Sequence, residues 1–204
     1  MISIVDYDAG NVKSVEKAIE KLGAKHILTS DPSKIMSSDA CILPGVGNFG
    51  DCMDKIRLRG LEVAIKDFTA SGKPFLGICV GLQLLFEESE ESPGVKGLGI
   101  LKGSIKRFPA DNNLKVPQIG WNNIYDLKGR LFDSIKEDTY FYFVHSYYLE
   151  ALDAGTVSSK ASYGLEFHSS VEQGNIFATQ FHPEKSSDPG LKVLSNFLKI
   201  SGEV

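Results

Sequence analysis

The sequence predicts an α/β fold in which a mostly parallel central sheet is flanked by helices. Short apolar segments alternate with segments of helical periodicity in the first half of the chain. The second half is rich in short β-type segments and closes with one more helical pattern. The chain has 204 residues, of which 42% are hydrophobic, and this size predicts a single domain spanning residues 1–204.

The alternation begins with a short apolar strand at Ile2–Val5, followed by a helix whose apolar positions recur from Val12 to Leu22. Asn11 is the predicted N-cap of this helix and Gly23 its predicted stop. Three further strands are predicted, at Lys25–Leu28, Ala40–Leu43 and Pro74–Ile78. Helical patterns follow Gly47, with a break near Gly60 and an end before Gly72, and run again from Val80 to Glu88. Strands and helices that alternate in this way favour a parallel sheet covered on both faces.

From Gly97 onward the pattern changes to short β-type segments. They are Leu98–Ile105, Val116–Tyr125, Tyr140–Leu149, Thr156–Ser162, Glu166–Val171 and Ile176–Phe181. The segment Gln173–Asn175 predicts a hairpin turn between the last two. A closing helix is predicted because Leu191, Val193, Leu194, Phe197 and Leu198 share one face.

Composition and charge make several classes of function poor candidates. The formal net charge of −4 offers no electrostatic footprint for a nucleic-acid backbone or an anionic membrane. The longest uncharged central run, Pro74–Phe86, is shorter than the roughly 20 residues of a membrane-spanning helix. The N-terminus lacks the basic start of a secretory signal. The three cysteines form no C-x-x-C pair, so we expect free thiols and a cytoplasmic protein.

The first candidate for chemistry is the segment Gly77–Gly81, which lies between the most apolar strand and a helical pattern. In a G-x-nucleophile-x-G elbow the glycines allow a tight turn that raises the nucleophile above the sheet. Here the nucleophile would be Cys79, at a helix N-terminus that favours the reactive thiolate. The N–H of Val80 would form half of an oxyanion hole. The alternative is that Cys79 is a small buried apolar residue.

The segment Gly45–Gly50 matches the G-x-G-x-x-G pattern of dinucleotide-binding turns. A true fingerprint belongs to the first strand–helix unit and is followed after about 20 residues by an acid at a strand end. This segment follows the third strand, and Glu62 lies in a helical stretch, so nicotinamide binding is disfavoured. Two interpretations stay open: the glycines turn N–H groups toward a substrate oxyanion, or they form a plain turn.

The third candidate is His182-Pro183-Glu184, directly after the last predicted strand. His182 could act as general base for Cys79, with Glu184 orienting the imidazole and the proline stiffening the turn. His26 and His168 fall in predicted strands and are interpreted as surface or structural residues. His145, which interrupts the aromatic strand that begins at Tyr140, stays open as a second candidate base.

Taken together, the elbow, the upstream Pro44–Gly47 and the downstream His-Pro-Glu resemble the class I (triad) glutamine amidotransferases. Within this family, the chain is similar to the glutaminase subunits of imidazole glycerol phosphate synthases. The motifs that carry this finer resemblance are Pro44–Gly47, Gly81–Phe86, Pro117–Asn122, Tyr142–Tyr147 and His182–Ser186. The resemblance covers the chain from Ile2 to the closing helix and implies a three-layer, flavodoxin-like fold.

The resemblance also implies a role for individual residues. Cys79 would attack the glutamine side-chain amide to form a glutamyl thioester, His182 would move the proton, and Glu184 would orient His182. The oxyanion would be held by N–H groups of Val80 and of the Val46–Gly47 segment, where a peptide would turn over first. Substrate-binding positions correspond to Gln83, Glu91, Ser146 and Tyr147, although Glu91 also fits a solvated helix end. No cofactor and no metal is implied.

The implied partner is a (β/α)8-barrel cyclase subunit that receives ammonia and makes imidazole glycerol phosphate and an aminoimidazole carboxamide ribonucleotide in histidine biosynthesis. The residues that match the family's docking face are Asn11, Trp121, Asn122 and Lys185. The alternative is that Trp121 packs in the core. The exposed fraction of its side chain distinguishes core packing from a place on the docking face. Cys41 and Cys52 receive no role. The alternatives for the whole chain are a glutaminase subunit of anthranilate or pyridoxal phosphate synthase, a stand-alone thiol amidase, and a non-enzymatic binding module.

Overall fold

The computed structural model describes residues 1–8, 11–109 and 114–203. Its α-helices are α1 (Val12–Lys21), α2 (Pro32–Ser37), α3 (Phe49–Leu58), α4 (Leu61–Ala70), α5 (Val80–Leu84) and α6 (Ser187–Ile200). The strands of the first half are β1 (Ile2–Val5), β2 (His26–Thr29), β3 (Ala40–Gly45), β4 (Phe75–Cys79) and β5 (Glu88–Ser89). Those of the second half are β6 (Gly103–Arg107), β7 (Gln118–Ile124), β8 (Thr139–His145), β9 (Tyr147–Ala151), β10 (Val157–Ser162), β11 (Glu166–Gln173) and β12 (Ile176–Thr179).

A ten-stranded sheet forms the centre of the fold, with the strand order β2-β1-β3-β4-β12-β11-β9-β6-β5 and β10 paired to β11. The pairs from β2 to β12 are parallel. The pairs that link β12, β11, β9 and β6 are antiparallel, so the second half extends the parallel core on one side. Strands β7 and β8 form a separate antiparallel ribbon. The predicted α/β class, with antiparallel additions in the second half, is confirmed.

The core strands are apolar because both of their faces are covered. Every residue of β1, β3 and β4 is buried, as expected for parallel strands between two layers of helices. Helix α1 buries one stripe, formed by Val15, Ala18 and Ile19. Within the described residues, no helix combines the length and apolar character that crossing a membrane requires.

The strand order places three strand ends side by side. Gly45, at the end of β3, is aligned with Cys79, at the end of β4. On the other side of β4, Thr179 of β12 is aligned with Ile78. Because parallel strands end at one edge of a sheet, the segments that follow Gly45, Cys79 and Thr179 meet there. Open α/β sheets bind their ligands at such an edge.

Several predicted elements differ from the observed ones. The helical pattern from Val80 to Glu88 is observed only as far as Leu84, and Glu88–Ser89 is instead the edge strand β5. The solvated helix end considered for Glu91 is therefore wrong. The predicted strand Tyr140–Leu149 divides at Ser146 into β8 and β9, which lie in different sheets. The helix α2 was not predicted.

Candidate active site

Cys79 occupies a strained turn between β4 and α5. Its φ of 56° and ψ of −110° lie in a region that residues with a Cβ rarely adopt. Glycine is required on both sides of it: a Cβ on Gly77 would lie 2.7 Å from the carbonyl oxygen of Gly81, and one on Gly81 would lie 1.9 Å from that of Leu43. The sequence therefore folds here into the strand–turn–helix elbow that places a nucleophile at a helix N-terminus.

His182 and Glu184 follow β12 and form a buried pair. The Nδ1–H of His182 donates to Oε1 of Glu184 over 2.8 Å, and both side chains are almost completely buried. Burial lowers the pKa of His182, but the Cys79 sulfur and the Glu184 carboxylate outweigh it and raise this pKa to about 10. His182 is therefore expected to be an imidazolium at neutral pH, which favours an ion pair with a Cys79 thiolate.

A cleft of about 260 Å³ lies above these residues. Ten of the positions singled out in the sequence line it: Val46, Gly47, Cys79, Val80, Gln83, Glu91, His145, Ser146, Tyr147 and His182. Pro117 and Val144 complete the lining. Glu184 stands behind His182 and does not line the cleft. Among the described residues, Nε2 of His182 has no hydrogen-bond partner, so this atom is open to a proton exchanged with a substrate.

The Val46–Gly47 peptide forms one wall of the cleft and is tied to α3. The thiol of Cys52 donates to the carbonyl oxygen of Val46 over 3.6 Å, and the hydroxyl of Tyr7 donates to that of Pro44 over 2.9 Å. In a trans peptide the N–H points away from the carbonyl, so the N–H of Gly47 is directed away from Cys52. Gly47 has a φ of +99°, which glycine adopts without a steric penalty. Cys52, which received no role from the sequence, thus fixes one side of this peptide.

The N-terminus of α3 is occupied by the chain's own side chains. Asn48 accepts hydrogen bonds from the N–H groups of Gly50 and Asp51, and Ser92 accepts from Gly50 as well. The N–H of Phe49 donates to Oε2 of Glu91 over 2.7 Å. A carboxylate at this position would repel a pyrophosphate. The disfavoured nicotinamide interpretation of Gly45–Gly50 is therefore not supported.

Two side chains of the cleft present acceptors to a cationic group. The side-chain NH2 group of Gln83 donates to the carbonyl oxygen of Tyr147 and to Oε1 of Gln180. The Oε1 of Gln83 is therefore left as an acceptor. The carboxylate of Glu91 lies in the same lining, and burial raises its pKa from the ordinary value. Both groups are complementary to an ammonium such as that of an amino acid.

The model of the glutamine amidotransferase class-I family matches residues 3–200. The chain belongs to the class I glutamine amidotransferases. It is 49% identical to the imidazole glycerol phosphate synthase subunit HisH of Rhodopirellula baltica, over the whole of both chains. It is 47% identical to the HisH subunit of Methanocaldococcus jannaschii, covering 98% of this chain and 100% of that one.

Solved structures show the same fold for this amidotransferase. A crystal structure described as a glutamine amidotransferase superposes with a TM-score of 0.78 at 21% identity, covering 99% of this chain and 100% of that one. The glutaminase domain of Trypanosoma brucei CTPS with bound acivicin superposes with a TM-score of 0.71 at 18% identity, covering 100% of this chain and 94% of that one. The expected flavodoxin-like architecture of class I amidotransferases is confirmed.

The four positions matched to a docking face are not all on one surface of the amidotransferase. Trp121 is 52% exposed on the outer face of the β7–β8 ribbon, so it is not packed in the core. Trp121 and Lys185 both lie next to Tyr142: the ring centres of Trp121 and Tyr142 are 6.4 Å apart, and Nζ of Lys185 lies 5.9 Å from the ring centre of Tyr142. Asn122 points to the opposite face, where its amide donates to the carbonyl of Ser162. Asn11 precedes α1 without capping it by a side-chain hydrogen bond and instead accepts from the Ser14 hydroxyl.

Of the remaining histidines, His26 and His168 lie outside the cleft and His145 lies in its lining. The donor atoms of Glu16, Glu20 and His26 are close enough together to share a cation, but none of the three residues lines the cleft. His168 accepts from the N–H of Ala151 and joins β11 to β9. His145 does line the cleft, and its Nδ1 lies 2.8 Å from the carbonyl oxygen of Tyr147.

His145 makes the protein sensitive to acid. Burial lowers the pKa of His145 to about 4 from 6.5, against the opposing effect of the hydrogen bond to Tyr147. Below pH 6.5 the unfolded chain therefore binds a proton that the folded chain excludes, and the free energy of unfolding falls as the pH decreases toward 4. From pH 7 to pH 4.5 this residue accounts for a loss of about 2 kcal/mol.

We expect His145→Asn, which keeps a donor for the Tyr147 carbonyl and does not titrate, to lose about 2 kcal/mol less than the parent chain over the same interval. Urea unfolding at pH 7 and pH 4.5 measures both losses. Equal losses in the two proteins would contradict a buried, neutral His145.

Proposed function

We propose that the chain is the glutaminase subunit of an imidazole glycerol phosphate synthase and that Cys79, His182 and Glu184 are its catalytic triad. The observation that carries this proposal is that Cys79 and His182 line one cleft, while the buried Glu184 holds His182 from behind. The full-length identity to HisH subunits supports the choice of synthase. The reaction is the hydrolysis of L-glutamine to glutamate and ammonia, with no cofactor or metal.

The proposed triad assigns a group to each step. The Cys79 thiolate attacks the side-chain amide carbon of glutamine, and the oxyanion that forms is held by N–H groups of Val80 and of the Val46–Gly47 segment. The tetrahedral intermediate collapses as the His182 imidazolium gives its Nε2 proton to the departing amine, so ammonia leaves and a thioester remains. Neutral His182 then takes a proton from water, which attacks the thioester. Glutamate departs, and the proton that His182 took from water stays with the Cys79–His182 pair, which restores the starting state.

Recognition of the substrate uses the rest of the cleft lining. We assign the α-ammonium of glutamine to Oε1 of Gln83 and to the carboxylate of Glu91, since both are acceptors. The segment Ser146–Tyr147, at the break between β8 and β9, is assigned to the α-carboxylate end. Because the strand is interrupted here, the N–H groups of this segment are not all used in the hydrogen bonds of one continuous strand.

We further propose that the partner is a (β/α)8-barrel cyclase, which docks on the outer face of the β7–β8 ribbon. Ile119, Trp121 and Tyr140 form an apolar patch there, and these three residues are 62%, 52% and 56% exposed. The patch adjoins the triad, because the neighbouring Tyr142 accepts a hydrogen bond at its carbonyl oxygen from the N–H of His182. A cyclase on this face would receive ammonia directly, before water protonates it.

Glutamate release measured for the chain alone, with the cyclase, and with the cyclase and its nucleotide ligand tests the proposed function. Release that depends on the cyclase and its ligand is the expected result. Equal release under all three conditions would indicate a stand-alone amidase. No release under any of them would direct the search to another synthase or to a binding role.

The docking face has its own test. We expect Trp121→Ala to raise the Kd for the cyclase about 30-fold, as for a central aromatic residue of an interface. Titration calorimetry measures the affinity. Leu152→Ala is the matched control, because Leu152 is an apolar residue 76% exposed and lies outside the ribbon. A Kd unchanged by Trp121→Ala would place the interface elsewhere.

A further inference from the structure

Gln180 is a completely buried polar residue next to the nucleophile, and the proposed mechanism gives it no role. It follows β12 and precedes His182 by two positions. Its backbone N–H donates to the carbonyl of Ser169 over 2.8 Å, which fixes the main chain. Its side-chain Nε2 lies 3.8 Å from Sγ of Cys79, and its Oε1 lies 3.0 Å from Nε2 of Gln83.

These contacts form a series of hydrogen bonds that links Tyr147, Gln83, Gln180 and Cys79. The carbonyl of Tyr147, at one end of the series, determines which group donates in each of them. The carbonyl oxygen of Tyr147 can only accept, so the Gln83 group 3.3 Å away must be the amide NH2. The same NH2 faces Oε1 of Gln180. Gln180 must therefore turn its own NH2 toward Cys79. His145 donates to the same Tyr147 carbonyl and so strengthens its role as an acceptor.

We propose that Gln180 is a positioning residue that directs an amide hydrogen at the Cys79 sulfur and favours its anionic form before substrate arrives. This role rests on the proposed function, since it prepares the nucleophile of that reaction. The donor is effective because the surroundings exclude water, and a hydrogen bond to an anion is stronger in such a site. The series of hydrogen bonds ties this donor to Gln83, so the groups that hold glutamine and the group that faces sulfur form one unit.

Other ionisable groups also act on Cys79. His182 faces it from the segment after β12, and Tyr7 contributes from the segment after β1. Glu184 acts through His182. All three groups are retained in a Gln180 variant, so a change in the behaviour of the sulfur can be assigned to the lost amide.

The test is the pH dependence of the alkylation of Cys79 by iodoacetamide in Gln180→Met, which keeps the side-chain length and removes the N–H. We expect the midpoint of the alkylation profile to move upward by about one pH unit, a tenfold change, which is the low end for a hydrogen bond to a charged group. Glutamate release in the cyclase complex is expected to fall about tenfold. Gln118→Met is the matched control, since Gln118 is also a buried glutamine, and its profile is expected to stay unchanged.

A folded Gln180→Met with the parent alkylation profile would overturn the proposal. A second measurement on the parent chain applies even if that variant does not fold: the NMR signal of the Gln180 side-chain amide should shift as Cys79 titrates, and this shift should vanish in Cys79→Ala. An amide signal that does not respond to pH would also overturn it. Failure of the proposed function looks different, because the parent complex would then release no glutamate while the alkylation profiles still differed.

Discussion

Cys79→Ala is expected to abolish glutamate release from glutamine, with a loss of at least about 10⁴-fold, because no other described residue of the cleft lining carries a thiol that could form the thioester. Of the three cysteines, Cys41 and Cys52 are buried away from the cleft lining, and burial raises the pKa of their thiols to about 12 and about 11. Neither can replace Cys79. The measurement is glutamate production in the complex with the proposed cyclase partner and its nucleotide ligand.

The same variant should keep the synthase reaction when ammonium salts replace glutamine. Alanine at position 79 preserves the backbone, and an amidotransferase partner that receives ammonia from solution does not need the triad. Cys41→Ala is the matched control, since it removes a buried thiol of the same size that does not line the cleft. Loss of the ammonia-dependent reaction in Cys79→Ala would indicate that Cys79 is structural. Retained glutamate release would refute its assignment as nucleophile.

The sequence predicts the parallel core well because the physical signals there are local. The strands β1, β3 and β4 are short apolar runs bounded by glycine, proline or polar residues, and their burial on both faces follows from composition alone. The helix break at Gly60 is also local, since the residue adopts a positive φ. The parallel order of these strands also predicts which edge of the sheet carries the cleft.

The errors arise where distant contacts decide the structure. The aromatic run from Tyr140 onward has no glycine or proline at Ser146, yet the chain leaves the β7–β8 ribbon there and joins the main sheet. The acidic segment at Glu88 resembles a helix end, but it pairs with Ser104 of β6. Helix α2 is too short for periodicity. Asp31 as N-cap followed by Pro32 was the signal that could have identified it.

Gln180 illustrates the same limit within the site. In the sequence it is one polar residue near the end of the predicted strand Ile176–Phe181, and this pattern predicts no function. Its contacts are with Cys79 and Gln83, which are distant in the chain and come close only because β12 lies beside β4. Cys52 and Tyr7 were missed for the same reason, since their contacts with the carbonyls of Val46 and Pro44 depend on how α3 and the segment after β1 pack.

The second large effect is expected at His182, and His145 provides the comparison that decides which histidine is the base. We expect His182→Asn to lower kcat for glutamate release by about 10²-fold to 10⁴-fold, since asparagine can still donate to Glu184 but has no counterpart of Nε2. His145→Asn keeps the donor for the Tyr147 carbonyl and should cost less than about tenfold. Steady-state kinetics of both variants in the cyclase complex give the measurement.

The pH profile supplies an independent check on His182. Since the imidazolium is the form that protonates the departing amine, and the pKa of His182 in the free enzyme is raised to about 10, kcat/KM should fall as the pH rises through about 10. His145, with its pKa lowered to about 4, stays neutral over the whole neutral range and cannot supply that proton. A severe loss in His145→Asn with a mild one in His182→Asn would reverse the assignment. In that case Glu184 would orient the imidazole of His182, although His182 would take no part in proton transfer.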